Sequence, residues 1–135
     1  MNKKYIQIGI VAFASIGAIY GGYKLVKYIM NKYKFNGDKI ISEGDKGDEA
    51  KTIQQTLNNI ISDASKTKSS DATKETRRKA IASLNPLTVN GIFDADSVSV
   101  LSVIMGKNSA SYNDVKDKRI QFSKNYGMSN PYAKK

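Results

Sequence analysis

Carboxylate side chains are the main candidates for catalytic chemistry in this sequence, because its 135 residues include no histidine and no cysteine. These absences exclude Ser-His-Asp and Cys-His catalysis and the usual zinc sites. Cleavage of a glycan needs a carboxylic acid whose pKa is raised by an apolar pocket. Glu43, Glu49 and Glu75 instead fall in a polar turn or on predicted solvated helix faces, and Asp94 and Asp96 fall in a predicted first helical turn. We therefore predict a protein that is not an enzyme and has no metal or cofactor.

An apolar segment at residues 6–23 carries no formal charge. At about 1.5 Å per residue, a helix of this length falls just short of the roughly 30 Å hydrocarbon core of a bilayer. Lysines flank the segment on both sides and tyrosines fall near both ends, which is typical of a membrane-spanning helix. The alternative is a cleaved secretory signal with its small-x-small site at Ala12-Phe13-Ala14. Because the apolar run continues past that site, we predict a retained single-pass anchor in a lipid bilayer.

One face of the predicted anchor carries small residues that would let a second helix approach closely. The residues predicted to pack in the membrane are Ala14, Gly17, Ala18, Gly21 and Gly22. This face predicts an oligomer or membership of a larger assembly.

The formal charge of +10 is unevenly distributed along the chain. Residues 1–39 carry seven lysines and one aspartate (+6), residues 40–110 carry nine basic and nine acidic residues (0), and residues 111–135 carry six basic and two acidic residues (+4). The excess therefore lies beside the predicted anchor and in the tail, where it suits anionic headgroups or an acidic polymer. The neutral middle contains a single aromatic residue, Phe93, so we do not predict a nucleic-acid partner.

Hydrophobic spacing predicts two amphipathic helices after the anchor. Asp48 is the expected N-cap of the first, whose apolar residues are Ala50, Ile53, Leu57, Ile60, Ile61 and Ala64. Asp71 is the expected N-cap of the second, which runs from about Ala72 to Leu84. We expect Arg77, Arg78 and Lys79 on the solvated side of that second helix.

Two further helices follow the Asn90-Gly91 turn. Asp94 or Asp96 is the expected N-cap of the third, and Gly106 is its expected C-terminal stop. A last helix begins near Ser111 or Asn113, and we expect it to direct apolar residues toward a partner surface. These residues are Tyr112, Val115, Ile120, Phe122 and Tyr126.

Together these patterns predict an all-α protein, with a single N-terminal transmembrane helix followed by a small domain of three to four helices. The predicted divisions are an anchor and stalk at residues 1–35, a helical domain at residues 36–110, and a C-terminal helix with a basic tail at residues 111–135.

The order of motifs in residues 40–106 resembles the small helical peptidoglycan-binding domain (type 1) of cell-wall hydrolases. The resemblance lies in Gly44-x-x-Gly47, in Ala50-x-x-Ile53-Gln54-x-x-Leu57, and in Val89-Asn90-Gly91-Ile92-Phe93-x-x-x-Ser97-x-x-Val100-Leu101-x-x-Ile104. In that family each of two glycine-containing turns leads into a helix.

The resemblance implies a shallow binding groove near the glycine turns and the start of the third helix. The implied peptidoglycan-binding residues are Gln54, Asn58, Asn90, Ile92, Asp94, Asp96 and Ser97. The same motif also has a fold-keeping explanation. Gly91 would supply a positive φ, Phe93 would fill the core between helices, and Gln54 would bond across to the turn backbone. For Asp94 and Asp96 the corresponding explanation is helix capping.

These features predict a non-catalytic, membrane-anchored protein that tethers a membrane to peptidoglycan or to neighbouring protein subunits. The alternative is a structural minor membrane protein of a membrane-containing bacteriophage virion or of an envelope complex, with its helical domain bound to other subunits. The larger number of lysines after the span favours the cytoplasmic side for the domain, whereas peptidoglycan lies on the opposite side. The predicted location is a bacterial envelope membrane or a virion internal membrane.

Overall fold

Four helices form the regular structure of residues 34–133, which are the residues that the computed structural model describes. They are α1 (Asp48–Ser65), α2 (Ala72–Ala82), α3 (Ala95–Met105) and α4 (Tyr112–Asn125). Only isolated bridges, and no strand, accompany them in this range, which confirms the predicted all-α class. None of these four helices combines the length and the apolar character that a membrane span requires. The predicted anchor lies outside the described residues.

The starts of three helices are stabilised by side-chain caps. Asp71 was predicted as a cap, Asp94 was one of two predicted alternatives, and Ser111 was one of two predicted starts of the last helix. The carboxylate of Asp71 accepts from Lys74 N, that of Asp94 accepts from Ser97 N, and the hydroxyl of Ser111 accepts from Asp114 N. Each bond satisfies one of the backbone N–H groups that a helix leaves without a partner at its first turn. Gly106 ends α3 with a left-handed φ of 71°, as predicted.

The start of α1 differs from the prediction. Its N-cap is Gly47, which has φ 127° and makes no side-chain cap bond, whereas Asp48 is already helical. The reason is that the chain must turn here with a positive φ, which glycine adopts readily and aspartate does not. Asp48 and Glu49 instead place acidic groups in the first turn, where the helix dipole favours them.

Helix α1 lies at the centre of the core and packs against the other three helices. Its apolar stripe is fully buried together with Phe93, whose side chain has no exposed area, as the fold-keeping explanation of the motif requires. Val115 and Phe122 of α4 are buried in the same core. These two residues were predicted to face a partner surface. They face the core of their own domain instead.

The chain enters the domain beside the starts of α1 and α4. Ile41 pairs with Ala110 through two backbone hydrogen bonds of 2.9 and 3.1 Å. Gly37 O accepts from Asn113 N, and a Cβ added at Gly37 would lie only 2.7 Å from the Asn113 side chain. Asn36 N donates to the buried carboxylate of Glu49 at 2.9 Å. The described residues from Asn36 onward belong to one compact unit.

Arg78 was predicted to lie on the solvated side of α2, but its side chain is buried. Its guanidinium donates to Ala64 O at 2.8 Å and to both carboxylate oxygens of Glu75, at 2.8 and 2.6 Å. The bond to Ala64 satisfies a carbonyl in the last turn of α1, which has no partner within its helix. Arg77 is also engaged, since it donates to Ile104 O in the last turn of α3.

We predict that Arg78→Ala lowers the free energy of unfolding by about 2–3 kcal/mol, because it leaves the Ala64 carbonyl and the Glu75 carboxylate without their partner. Lys79→Ala is the matched control, since the Lys79 side chain is 70% exposed and lies 4.0 Å from Glu75. We expect less than about 0.5 kcal/mol for the control. Urea denaturation of both variants measures the difference, and equal effects would contradict the assigned role of Arg78.

We also predict a specific loss of stability in acid. The hydrogen bonds from Arg78 and from Ser69 N lower the pKa of Glu75 from 4.5 to about 2. Because the folded pKa lies below the ordinary value, the ionised carboxylate stabilises the fold above about pH 4.5, and this contribution disappears as the pH falls toward 2. Circular dichroism should show that the free energy of unfolding of Glu75→Gln is lower than that of wild type at pH 6. At pH 2 the two free energies of unfolding should be similar. A constant difference would contradict this assignment.

Candidate functional site

Two glycine-containing turns lie side by side at one end of the domain. Gly44 N donates to Phe93 O at 2.8 Å, Phe93 N donates to Asp45 O at 2.9 Å, and Gly47 N donates to Gly91 O at 2.9 Å. Gly91 has φ 78°, and a Cβ at this position would lie 3.3 Å from the Gly47 carbonyl oxygen. The pairing therefore requires glycine at position 91, both for its backbone angle and for the close approach. We call residues 42–47 and 90–93 the paired turns.

The side chain of Gln54 connects the paired turns to α1 and α3. It is 1% exposed. Its Nε2 group donates to Ile92 O at 2.8 Å, to Ser97 Oγ at 3.0 Å and to Asn90 Oδ1 at 3.3 Å. Its Oε1 atom accepts from Gly91 N at 2.9 Å and from Asn90 N at 3.2 Å. This is the bond to the turn backbone that the sequence predicted, and it engages both polar atoms of the amide.

Asn58 binds the backbone of Leu87, in the segment that leads into the turn at Asn90 and Gly91. Its Nδ2 group donates to Leu87 O at 2.9 Å, and its Oδ1 atom accepts from Leu87 N at 2.7 Å. Asn90 is fixed inside the turn, because its Oδ1 atom accepts from Ile92 N at 3.0 Å as well as from Gln54. Each side-chain oxygen is thus occupied by a backbone N–H of the domain.

Asp94 and Ser97 form the start of α3. The Asp94 carboxylate accepts from the backbone N–H of Ser97 at 3.0 Å and from its hydroxyl at 2.9 Å. These two bonds lower the pKa of Asp94, so the group is held ionised as a helix cap. The Ser97 side chain is completely buried and also accepts from Gln54.

Four of the seven predicted binding residues are exposed: Asn90, Ile92, Asp94 and Asp96. Ile92 is 44% exposed and pairs through its backbone with Lys46. Asp96 is exposed in the first turn of α3. The structure therefore brings all seven residues to one region. The side chains of Gln54, Asn58, Asn90, Asp94 and Ser97 form hydrogen bonds within the domain. Ile92 and Asp96 are exposed and make no side-chain hydrogen bond among the described residues, and we call these two residues the outer rim.

Glu49 was missed by sequence reasoning, which expected it on a solvated surface. It is 3% exposed and binds Asn36 N, so it joins α1 to the point where the chain enters the domain. Its spacing carried a usable signal, because Glu49, Ile53 and Ile60 recur at i, i+4 and i+11 on the buried stripe of α1.

Glu75 and Asp94, both in the described part of the chain, have lowered pKa values. A general acid requires the opposite shift. The described residues also contain no group of three or more acidic side chains placed to hold a metal ion. The predicted membrane-packing residues, Ala14, Gly17, Ala18, Gly21 and Gly22, lie outside the described residues.

Comparisons with known protein families, with curated proteins and with solved structures find no match.

We predict that Gln54→Ala lowers the free energy of unfolding by about 2–4 kcal/mol, because it leaves buried N–H and C=O groups of the paired turns without partners. Gln55→Ala is the matched control, since Gln55 is the exposed neighbour on the same helix, and less than about 0.5 kcal/mol is expected for it. Urea denaturation of the two variants provides the comparison. A loss for Gln54→Ala no larger than that for the control would show that the amide does not hold the turns.

Proposed function

We propose that this chain is a non-catalytic tether. In this proposal residues 6–23 anchor the chain in a membrane, and the helical domain holds that membrane against peptidoglycan. The observation that carries the proposal is the juxtaposition of the two glycine-containing turns beside the start of α3, since the resemblance to peptidoglycan-binding domains implies a groove at this place.

This proposal includes no catalysis because of the ionisation and the hydrogen bonds of three carboxyl groups, those of Glu75, Asp94 and Glu49. Glu75 and Asp94 are held ionised by donors from their own domain, so neither can deliver a proton to a leaving group near neutral pH. Glu49 is buried against the backbone of Asn36. A domain arranged in this way is suited to binding and not to bond cleavage.

Wall binding, in this proposal, uses the outer rim of the paired turns. Ile92 supplies an exposed apolar side chain next to Lys46, and Asp96 supplies an exposed carboxylate four residues further along the chain. An apolar contact flanked by charged groups suits the sugar faces and the charged peptide groups of peptidoglycan. Gln54 and Ser97 are buried beneath the paired turns, and Asn58 and Asn90 bind the backbone beside them. We assign these four residues no direct contact with the ligand.

The second candidate function is a structural subunit whose domain binds other proteins. It is favoured by one specific observation, which is that the side chains of five of the seven predicted binding residues are engaged within the domain. A rim of two side chains offers a polymer little specific recognition. In this second candidate the membrane anchor is unchanged and the partner is a neighbouring subunit.

Pelleting with purified peptidoglycan distinguishes the two candidates. We predict that the full chain in detergent pellets with peptidoglycan at low salt, and that an Ile92→Ser, Asp96→Asn variant binds at least about tenfold more weakly, equivalent to roughly 1.4 kcal/mol. The matched control is Ile40→Ser, Asp117→Asn, which removes one exposed isoleucine and one exposed aspartate outside the rim.

Variants at Asn90 and Asp94 are unsuitable for this purpose, because they would loosen the turn and the cap. Wild-type chain that remains in the supernatant would contradict wall binding and leave the protein-binding candidate. Equal binding by the rim variant and its control would contradict the assignment of the rim.

A further inference from the structure

Residues 40–110 have a formal charge of zero in sum, but the exposed acidic and basic residues are unevenly distributed between the two ends of the domain. Helices α1, α3 and α4 all begin at the end that contains the paired turns, as the bonds from Gly47 N to Gly91 O and from Asn113 N to Gly37 O show. We call this the turn end. Its exposed acidic residues are Asp38, Glu43, Asp48, Asp94 and Asp96, and its exposed basic residues are Lys39, Lys46 and Lys51.

The opposite end is formed by the loop after α1, the start of α2 and the end of α4. Thr67 Oγ1 donates to Tyr126 O at 3.2 Å, and the Tyr126 hydroxyl donates to Lys74 O at 2.7 Å. Lys74 Nζ in turn lies 3.5 Å from Asn125 O. These contacts bring four exposed lysines to one end, which we call the lysine end: Lys66, Lys68, Lys74 and Lys124.

The acidic residues nearest to the lysine end are already engaged. Asp63 pairs with Arg119 at 2.8 Å, and Glu75 pairs with Arg78 at 2.6 Å. Asp71 accepts the backbone N–H of Lys74 as a helix cap. None of the four lysines takes part in an ion pair within residues 34–133. Asp71 therefore remains as one negative charge beside the four lysines, and the lysine end carries an excess of positive charge.

Complementation of helix dipoles does not account for all four lysines. Lys124 lies in the last turn of α4, where a cation is favourable. Lys74 lies in the first turn of α2, where the dipole opposes a cation. Lys68 belongs to a loop. A cation placed against a helix dipole and beside other cations reduces stability slightly, and an external anion would relieve this repulsion.

We propose that the lysine end binds an anionic phospholipid surface through its phosphodiester headgroups. Four lysines spread over one end of a domain match a flat array of phosphates better than a single small anion. Helix α1 has 18 residues and connects the two ends, which places the lysine end about 27 Å from the end at which the chain enters. Only the use of a membrane-anchored chain in the test below rests on the proposed function.

Vesicle capture tests this proposal with the full chain. The protein is incorporated into neutral phosphatidylcholine vesicles, and fluorescent vesicles that contain phosphatidylglycerol are then added. We expect the fluorescent vesicles to be captured at low salt and released at high salt, because surface charges are screened over about 10 Å at 0.1 M. Replacing all four lysines of the lysine end with serine should reduce capture by about tenfold or more.

The matched control replaces four exposed lysines elsewhere, Lys39, Lys51, Lys79 and Lys107, with serine. This variant has the same net charge as the lysine-end variant and should capture vesicles as wild type does. Equal loss in both variants, or capture of neutral fluorescent vesicles, would overturn the proposal. Wild-type chain that does not float with the neutral vesicles would instead contradict the anchor. The lysine end would then be tested by direct flotation with phosphatidylglycerol vesicles, where only the lysine-end variant should lose binding.

Discussion

The amide of Gln54 is the constraint on which the described domain depends. A buried amide without partners is costly, and this one has five hydrogen bonds that reach from α1 to the turn before α3 and to the first turn of α3 itself. Its atoms fix the positions of Asn90, Gly91 and Ile92 relative to α1. That placement seats Phe93 in the core and aligns the two glycine-containing turns so that their backbones can pair.

This arrangement separates the parts of the motif that keep the fold from the parts that face outward. Gln54, Asn58 and Ser97 have polar side chains of the kind that ligand sites use, but their partners are atoms of the same domain. Ile92 and Asp96 remain at the surface. The polar residues of the motif are therefore accounted for by the contacts that hold this domain together.

Local signals in the sequence predicted much of this domain. Asp71 was predicted as a cap, Asp94 was one of two predicted alternatives, and Ser111 was one of two predicted starts of the last helix, because each precedes a helical apolar pattern. Longer-range effects were not predictable in this way. Arg78 is buried because Ala64 and Glu75 converge on it. The charge separation was also hidden, since a sum along the chain cannot show that three helices start at one end and that Lys66, Lys74 and Lys124 meet at the other.

The most direct test of the central claim is amide hydrogen exchange at Gly91. Its N–H group is buried and donates to Gln54 Oε1 at 2.9 Å. If the Gln54 amide holds the paired turns, this N–H should exchange only through the global opening that also exposes the middle of α1, although it belongs to a loop. Exchange of Gly91 as fast as that of an exposed loop amide, while α1 remains protected, would contradict the account.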